Sequence, residues 1–110
     1  MGKRVSRPSI ATKMSTITFT VKSDAAIQSL FVDSEGQIAV RVPLVPDGSE
    51  NSTGSVDLPP GEYTYLLSLR AGTPRAQFEV ILQRDQHTPV STPGALDGSG
   101  NGGQIGFFSF

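Results

Sequence analysis

The sequence predicts a small all-β domain: an antiparallel β-sandwich of six to seven strands, with a further strand available at the C-terminus. Three observations carry this prediction. Six strand-like segments recur at spacings of about ten residues, the pattern of sandwiches and barrels. Glycine (12) and proline (8) are abundant in a chain of 110 residues, which demands many turns. No stretch free of both sustains a 3.6-residue apolar period, so a helical bundle is excluded. The length suits one domain.

Residues 1–14 read as a basic arm. Lys3, Arg4, Arg7 and Lys13 bring four positive charges with no acid, whereas the rest of the chain holds five bases and ten acids. Thr16 to Val21 alternates strictly and predicts a half-buried strand with Ile17, Phe19 and Val21 inward. Lys22-Ser23-Asp24 is a turn. Ile27 to Val32 is a second apolar segment of less regular phase, closed by the hairpin signal Asp33-Ser34-Glu35-Gly36. Gln37 to Val42 alternates again, with Ile38, Val40 and Val42 inward, until Pro43 and Pro46 end it.

Asp47 to Ser55 is polar and reads as a loop, followed by a short strand at Val56-Asp57-Leu58. Pro59-Pro60-Gly61 turns the chain. Tyr63 to Arg70 is the strongest strand, placing Tyr63, Tyr65, Leu67 and Leu69 on one face. After Ala71-Gly72-Thr73-Pro74, the run from Ala76 to Leu82 answers it with Phe78, Val80 and Leu82 inward. The sandwich is thus expected over residues 15–84. Residues 85–103 are rich in Gly, Ser, Pro and Asp and read as a flexible linker. The chain then ends in an aromatic segment, residues 104–110.

The run Leu58-Pro59-Pro60-Gly61-Glu62-Tyr63-Thr64-Tyr65 resembles the Pro-Gly-x-Tyr-x-aromatic corner of bacterial immunoglobulin-like and fibronectin-III-like modules. The resemblance covers about residues 56–83 and implies an immunoglobulin-like sandwich, with no particular activity attached. It also implies that Tyr63 lies over the core with its hydroxyl bonded to nearby backbone. The chain has no cysteine and no tryptophan, so the likeness is to the wider sandwich class and not to antibody-type domains.

Few residues offer chemistry. The absence of cysteine excludes disulfides, thiolate metal sites and a cysteine nucleophile. Asp85, His87 and Ser91 could be drawn as a triad, but a linker would not hold a base within reach of a nucleophile. Asp97-Gly98-Ser99-Gly100-Asn101-Gly102 matches the opening of a calcium loop, yet Phe108 stands where an EF-hand needs its twelfth-position glutamate. Gly98, Gly100 and Gly103 spell G-x-G-x-x-G without the strand and helix that a dinucleotide site requires. Asn51-Ser52-Thr53 is a glycosylation sequon. A non-enzymatic protein without cofactor or metal is expected.

Targeting signals are equally sparse. No apolar run approaches the length of about 18 residues that a membrane-spanning helix needs. The basic start is not followed by an apolar signal-peptide core. The expectation is an intracellular protein or part of an assembled particle.

The tail is the most informative feature. Three of the six phenylalanines lie in the last four residues. Phe108 and Phe110 share one strand face, and Ile105 and Phe107 share the other. Apolar residues on both faces suit a strand covered on both sides, and burying each such side chain is worth about 1.5–3 kcal/mol. The tail can fold back onto its own sandwich or cross to a neighbouring subunit by strand exchange. A linker of about 19 residues spans at most about 60 Å, so both are within reach.

The expected function is therefore an interaction or assembly subunit, a homo-oligomer or a component of a larger assembly. Its contacts would come from Lys3, Arg4 and Arg7 in the arm and from Ile105, Phe107, Phe108 and Phe110 in the tail. Nucleic acid is a weaker expectation for the arm, because four charges without interleaved aromatics are few. The alternative is a monomeric module binding carbohydrate or another ligand through Asp33–Gln37, Asp47–Ser55 and Gly72–Arg75.

Overall fold

The computed structural model describes residues 13–34, 39–47 and 50–110. The arm residues Lys3, Arg4 and Arg7 lie outside the described residues, as do Glu35 and Gly36 of the expected hairpin loop and Gln37 and Ile38 of the strand expected after it. The described residues form strands and turns with no helix. The strands are β1 (Ser15–Lys22), β2 (Ala26–Asp33), β3 (Val40–Arg41), β4 (Val45–Pro46), β5 (Asn51–Leu58), β6 (Glu62–Arg70), β7 (Gln77–Arg84), β8 (Val90–Ala95) and β9 (Gly102–Ser109). They make two antiparallel sheets, ordered β4-β5-β1-β7-β8 and β3-β2-β6-β9, in a sandwich-like arrangement.

The alternation of β1 has the consequence expected of it. Ile17, Phe19 and Val21 are fully buried, while Thr16, Thr18 and Thr20 face outward and bond across to Asp57, Ser55 and Thr53 of β5. Tyr63, Tyr65, Leu67 and Leu69 of β6 bury from the other layer with Leu30, Val32 and Val42, and Phe78 and Val80 of β7 add to the layer of β1. Phe19 ties the layers together. Its ring meets Tyr65 edge-on at 5.5 Å and Phe108 of β9 at 6.0 Å, a favoured aromatic geometry.

The irregular phase of β2 has a local cause. The β2–β6 register shifts between Ile27 and Ser29, a bulge-like irregularity. Ile27 is partly buried on one side of the shift, and Leu30 and Val32 are buried on the other. The segment after β3 then crosses between sheets. Val42 donates its backbone N–H to Leu30, and β4 pairs with β5.

Four expectations need correction. Of the strand expected over Gln37–Val42, Gln37 and Ile38 lie outside the described residues and only Val40 and Arg41 of the remainder are strand; Val40, expected inward, is half-exposed, while Val42 is buried as expected. The loop expected over Asp47–Ser55 is largely strand: β5 starts at Asn51 and pairs with β1 along its full length. Its polar residues hide it, because its pairing rests on the backbone ladder and on hydroxyl bonds to β1, not on apolar alternation. Gly54 sits opposite Phe19, where an added Cβ would strike the Pro43 carbonyl at 2.2 Å.

The third correction concerns residues 85–103, which are not a linker. They contain β8, hydrogen-bonded to β7 from Gln77 to Leu82, and the start of β9. The sandwich therefore extends beyond residue 84 to the end of the chain. β9 pairs with β6 from Glu62 to Leu69, and Gly61 and Phe110 exchange backbone hydrogen bonds at 3.0 and 3.1 Å. The tail docks on its own chain. The fourth correction follows: among the described residues β9 is covered on one face only. Phe108 and Phe110 pack against the core, and Ile105 and Phe107 face outward.

Candidate interaction surface

The outer face of the β3-β2-β6-β9 sheet is built by register. Phe31 lies opposite Leu66, and Leu66 opposite Ile105, so three apolar side chains form a straight row across three strands. In the adjacent row Asp33, Thr64 and Phe107 are aligned. Exposure rises towards the edge strand: Phe31 36%, Leu66 45%, Ile105 62% and Phe107 79%. A hollow of about 300 Å³ lies over this row, lined by Phe31, Asp33, Ala39, Thr64, Leu66 and Ile105. A second hollow of about 440 Å³ adjoins it, with Asp33, Glu62 and Phe107 among its walls. Its lining is more polar, and the apolar row lies in the smaller hollow.

The inner face of β9 explains why the strand is held. Tyr63 stacks on Phe108 at 5.3 Å and on Phe110 at 5.9 Å, and the Arg84 guanidinium sits 5.2 Å from the Phe110 ring centre. The Tyr63 hydroxyl donates to the Pro59 carbonyl at 2.5 Å, so its polar tip has a backbone partner. Burial pushes the Tyr63 and Tyr65 phenols above their ordinary pKa. Gln104 donates to the Tyr65 hydroxyl at 3.2 Å. Of the tail residues singled out from the sequence, Phe108 and Phe110 thus anchor the strand, and Ile105 and Phe107 face away from the core.

The catalytic candidates have other partners. The Asp85 carboxylate accepts the Thr16 N–H at 2.9 Å, and that bond, with one from Ser15, holds it below the usual carboxylate range. Ser91 donates to Glu79. His87 Nε2 lies 2.9 Å from the Arg84 guanidinium, and the His87 N–H closes the β7–β8 turn on the Arg84 carbonyl. The three side chains are not joined into a relay.

The calcium-like loop is a capped turn. Asp97 accepts the N–H groups of Ser99 at 2.8 Å and Asn101 at 3.0 Å, which lowers its pKa. Gly100 has φ 80°, and a Cβ there would meet the Gly72 carbonyl at 2.0 Å, so close packing of two turns requires this glycine. Among the described residues no group of three or more His, Asp or Glu is placed to hold a metal ion.

In the three loops named for ligand binding, residues 35–37 and 48–49 lie outside the described residues, and the described ones fall at both ends of the sandwich. Asp33 lies opposite Thr64 at one end of the sandwich. Glu50 and Thr73 lie at the other end, where the Glu50 carbonyl accepts the Ser23 N–H and the Asp24 carboxylate holds Thr73.

The sequence reading missed Phe31 and Leu66 as surface residues. The signal was present in Leu66, an apolar residue on the polar phase of an alternating strand. Phe31 was masked by the register shift in β2. Comparison with protein-family models, curated proteins and solved structures found no match.

Proposed function

We propose that the protein is a non-enzymatic assembly subunit that self-associates through its four-stranded sheet, with Ile105 and Phe107 of β9 as principal contacts. The observation that carries this reading is the apolar row Phe31–Leu66–Ile105 with Phe107 beside it, exposed on one face of the molecule, whereas β1 and β5 on the opposite face present hydroxyls. Contiguous exposed apolar patches mark interaction sites more often than they occur on inert surfaces. We also read the fold as immunoglobulin-like, and the Tyr63–Pro59 hydrogen bond at the corner supports that reading.

Sedimentation equilibrium of the full chain tests the proposal. The mass should exceed the 11.6 kDa monomer and rise with concentration, and Phe107→Ser should lower it without loss of β-structure by circular dichroism. A monomeric mass throughout the micromolar range would refute the reading.

A further inference from the structure

We propose that β9 of one copy pairs antiparallel with β9 of a second copy across a two-fold axis, fusing two four-stranded sheets into one. The inference rests on the proposed self-association and names the strand that performs it. The two sheets have four edge strands: β4 and β8 in one, β3 and β9 in the other. Natural sheets protect their edges by shortness, proline or charge, because an unpaired ladder templates further pairing. β3 and β4 are two residues long, and β4 ends in Pro46. β8 carries Pro93 within its six residues. β9 has eight residues, Gly-Gly-Gln-Ile-Gly-Phe-Phe-Ser, with no proline and no charge, and among the described residues it pairs only with β6.

The second copy is the occupant because the strand is complementary to itself. Three pairs within the chain set an aromatic residue opposite a glycine: Phe19 with Gly54, Phe78 with Gly94, and Tyr65 with Gly106. A two-fold through Ile105 repeats this arrangement between copies. Phe107 then lies opposite the partner's Gly103, Phe108 opposite the partner's Gly102, and the two isoleucines oppose each other. Such an interface is isologous and closed, so it gives a dimer and not a fibre. Charge permits the approach. Glu62 and Arg84 flank the Phe110 end of β9, and Asp97 and Arg75 flank the Gly102 end. The antiparallel pairing sets one end beside the other, so neither meets a surface of a single sign.

Single cysteines test the register in a chain that has none of its own. Directly opposed residues in an antiparallel pair have Cα atoms about 4.5–5.5 Å apart, within disulfide range. In this dimer the two Leu66 residues are separated by three strand spacings, about 14 Å, and are out of range. Under mild oxidation Ile105→Cys should give a covalent dimer and Leu66→Cys should not. Ile105→Lys, which sets like charges face to face at an exposed position, should return the mass to that of a monomer. A covalent dimer from Leu66→Cys with none from Ile105→Cys would overturn edge pairing while leaving self-association through stacked faces. A monomeric unmodified chain would overturn both.

Discussion

The two outer faces of the sandwich differ in kind. Over β1 and β5, cross-strand neighbours are Thr16 with Asp57, Thr18 with Ser55, and Thr20 with Thr53, bonded at 2.7 to 3.4 Å. Over β2, β6 and β9 the corresponding positions are Phe31, Leu66 and Ile105. Both faces lie outside the same core and both satisfy strand propensity, since threonine and the apolar residues alike suit a pleated surface. Folding therefore does not dictate the difference. Hydroxyls on an outer face are satisfied by each other and by water, whereas an apolar row is satisfied only by another surface.

Both sheets share one core, and the largest expected effect tests that dependence. Phe19→Ala removes the ring that spans from β1 to Tyr65 and Phe108. It should cost about 3–5 kcal/mol. Urea unfolding followed by tyrosine fluorescence and by far-ultraviolet circular dichroism should show one coincident, lowered midpoint. Separate midpoints would mean that the sheets unfold independently.

A smaller effect is expected at the edges. Gly106 and Gly94 occupy equivalent places in the two sheets, each beneath the aromatic ring of its cross-strand partner. A Cβ would meet the Tyr65 ring at 2.2 Å in the first case and the Phe78 ring at 2.4 Å in the second. Gly106→Val and Gly94→Val should each cost about 1–3 kcal/mol through overpacking. Equal losses in thermal unfolding would place β8 and β9 on the same footing, and an unaffected Gly94→Val would show that β8 contributes little to the fold.

These glycines also explain how much of the molecule could be read from sequence. β1, β6 and β7 were legible because their inward positions hold Ile17, Phe19, Tyr63, Leu67 or Phe78, and alternation survives when one face needs apolar residues. β5 and β8 were not. In Asn-Ser-Thr-Gly-Ser-Val-Asp-Leu and Val-Ser-Thr-Pro-Gly-Ala, the inward place opposite a large ring is taken by glycine. The apolar bulk is supplied by the partner strand, and the local pattern vanishes. The tail stood between these cases: its phenylalanines announced a need for cover, while Gly102, Gly103 and Gly106 concealed the strand that provides it. For the candidate surface, Ile105 and Phe107 could be named from the tail alone. Their row with Phe31 and Leu66 exists only through the β2–β6–β9 register.

Exchanging the character of the two faces tests their difference directly. Leu66→Thr gives the apolar row a residue typical of the other face, and Thr18→Val does the reverse. Both sites are exposed or partly so, and each change should alter stability by no more than about 0.5 kcal/mol in urea. Pairing at the β9 edge leaves both positions outside the contact, so neither variant should lower the sedimentation mass, whereas Phe107→Ser should. A lower mass for Leu66→Thr alone would place the contact on stacked outer faces and not at the β9 edge.

The least perturbing test uses acid. Asp24, Asp85 and Asp97 accept hydrogen bonds from Thr73, Thr16 and Asn101 respectively, and each carboxyl is held below its ordinary pKa. A depressed pKa in the folded state contributes stability that is present above the unfolded value, about 3.9, and is lost as pH falls through the lower folded value. The three groups join turns at both ends of the sandwich, and none lies in the apolar row. Thermal midpoints should therefore be level between about pH 5 and 7 and decline below about pH 4. Asp97→Asn should flatten the decline, because the amide keeps an acceptor for Ser99 and Asn101 but no longer titrates. Self-association measured across the same range should hold steady until the fold itself begins to fail. A loss of association that precedes the thermal decline would place a titrating group inside the contact.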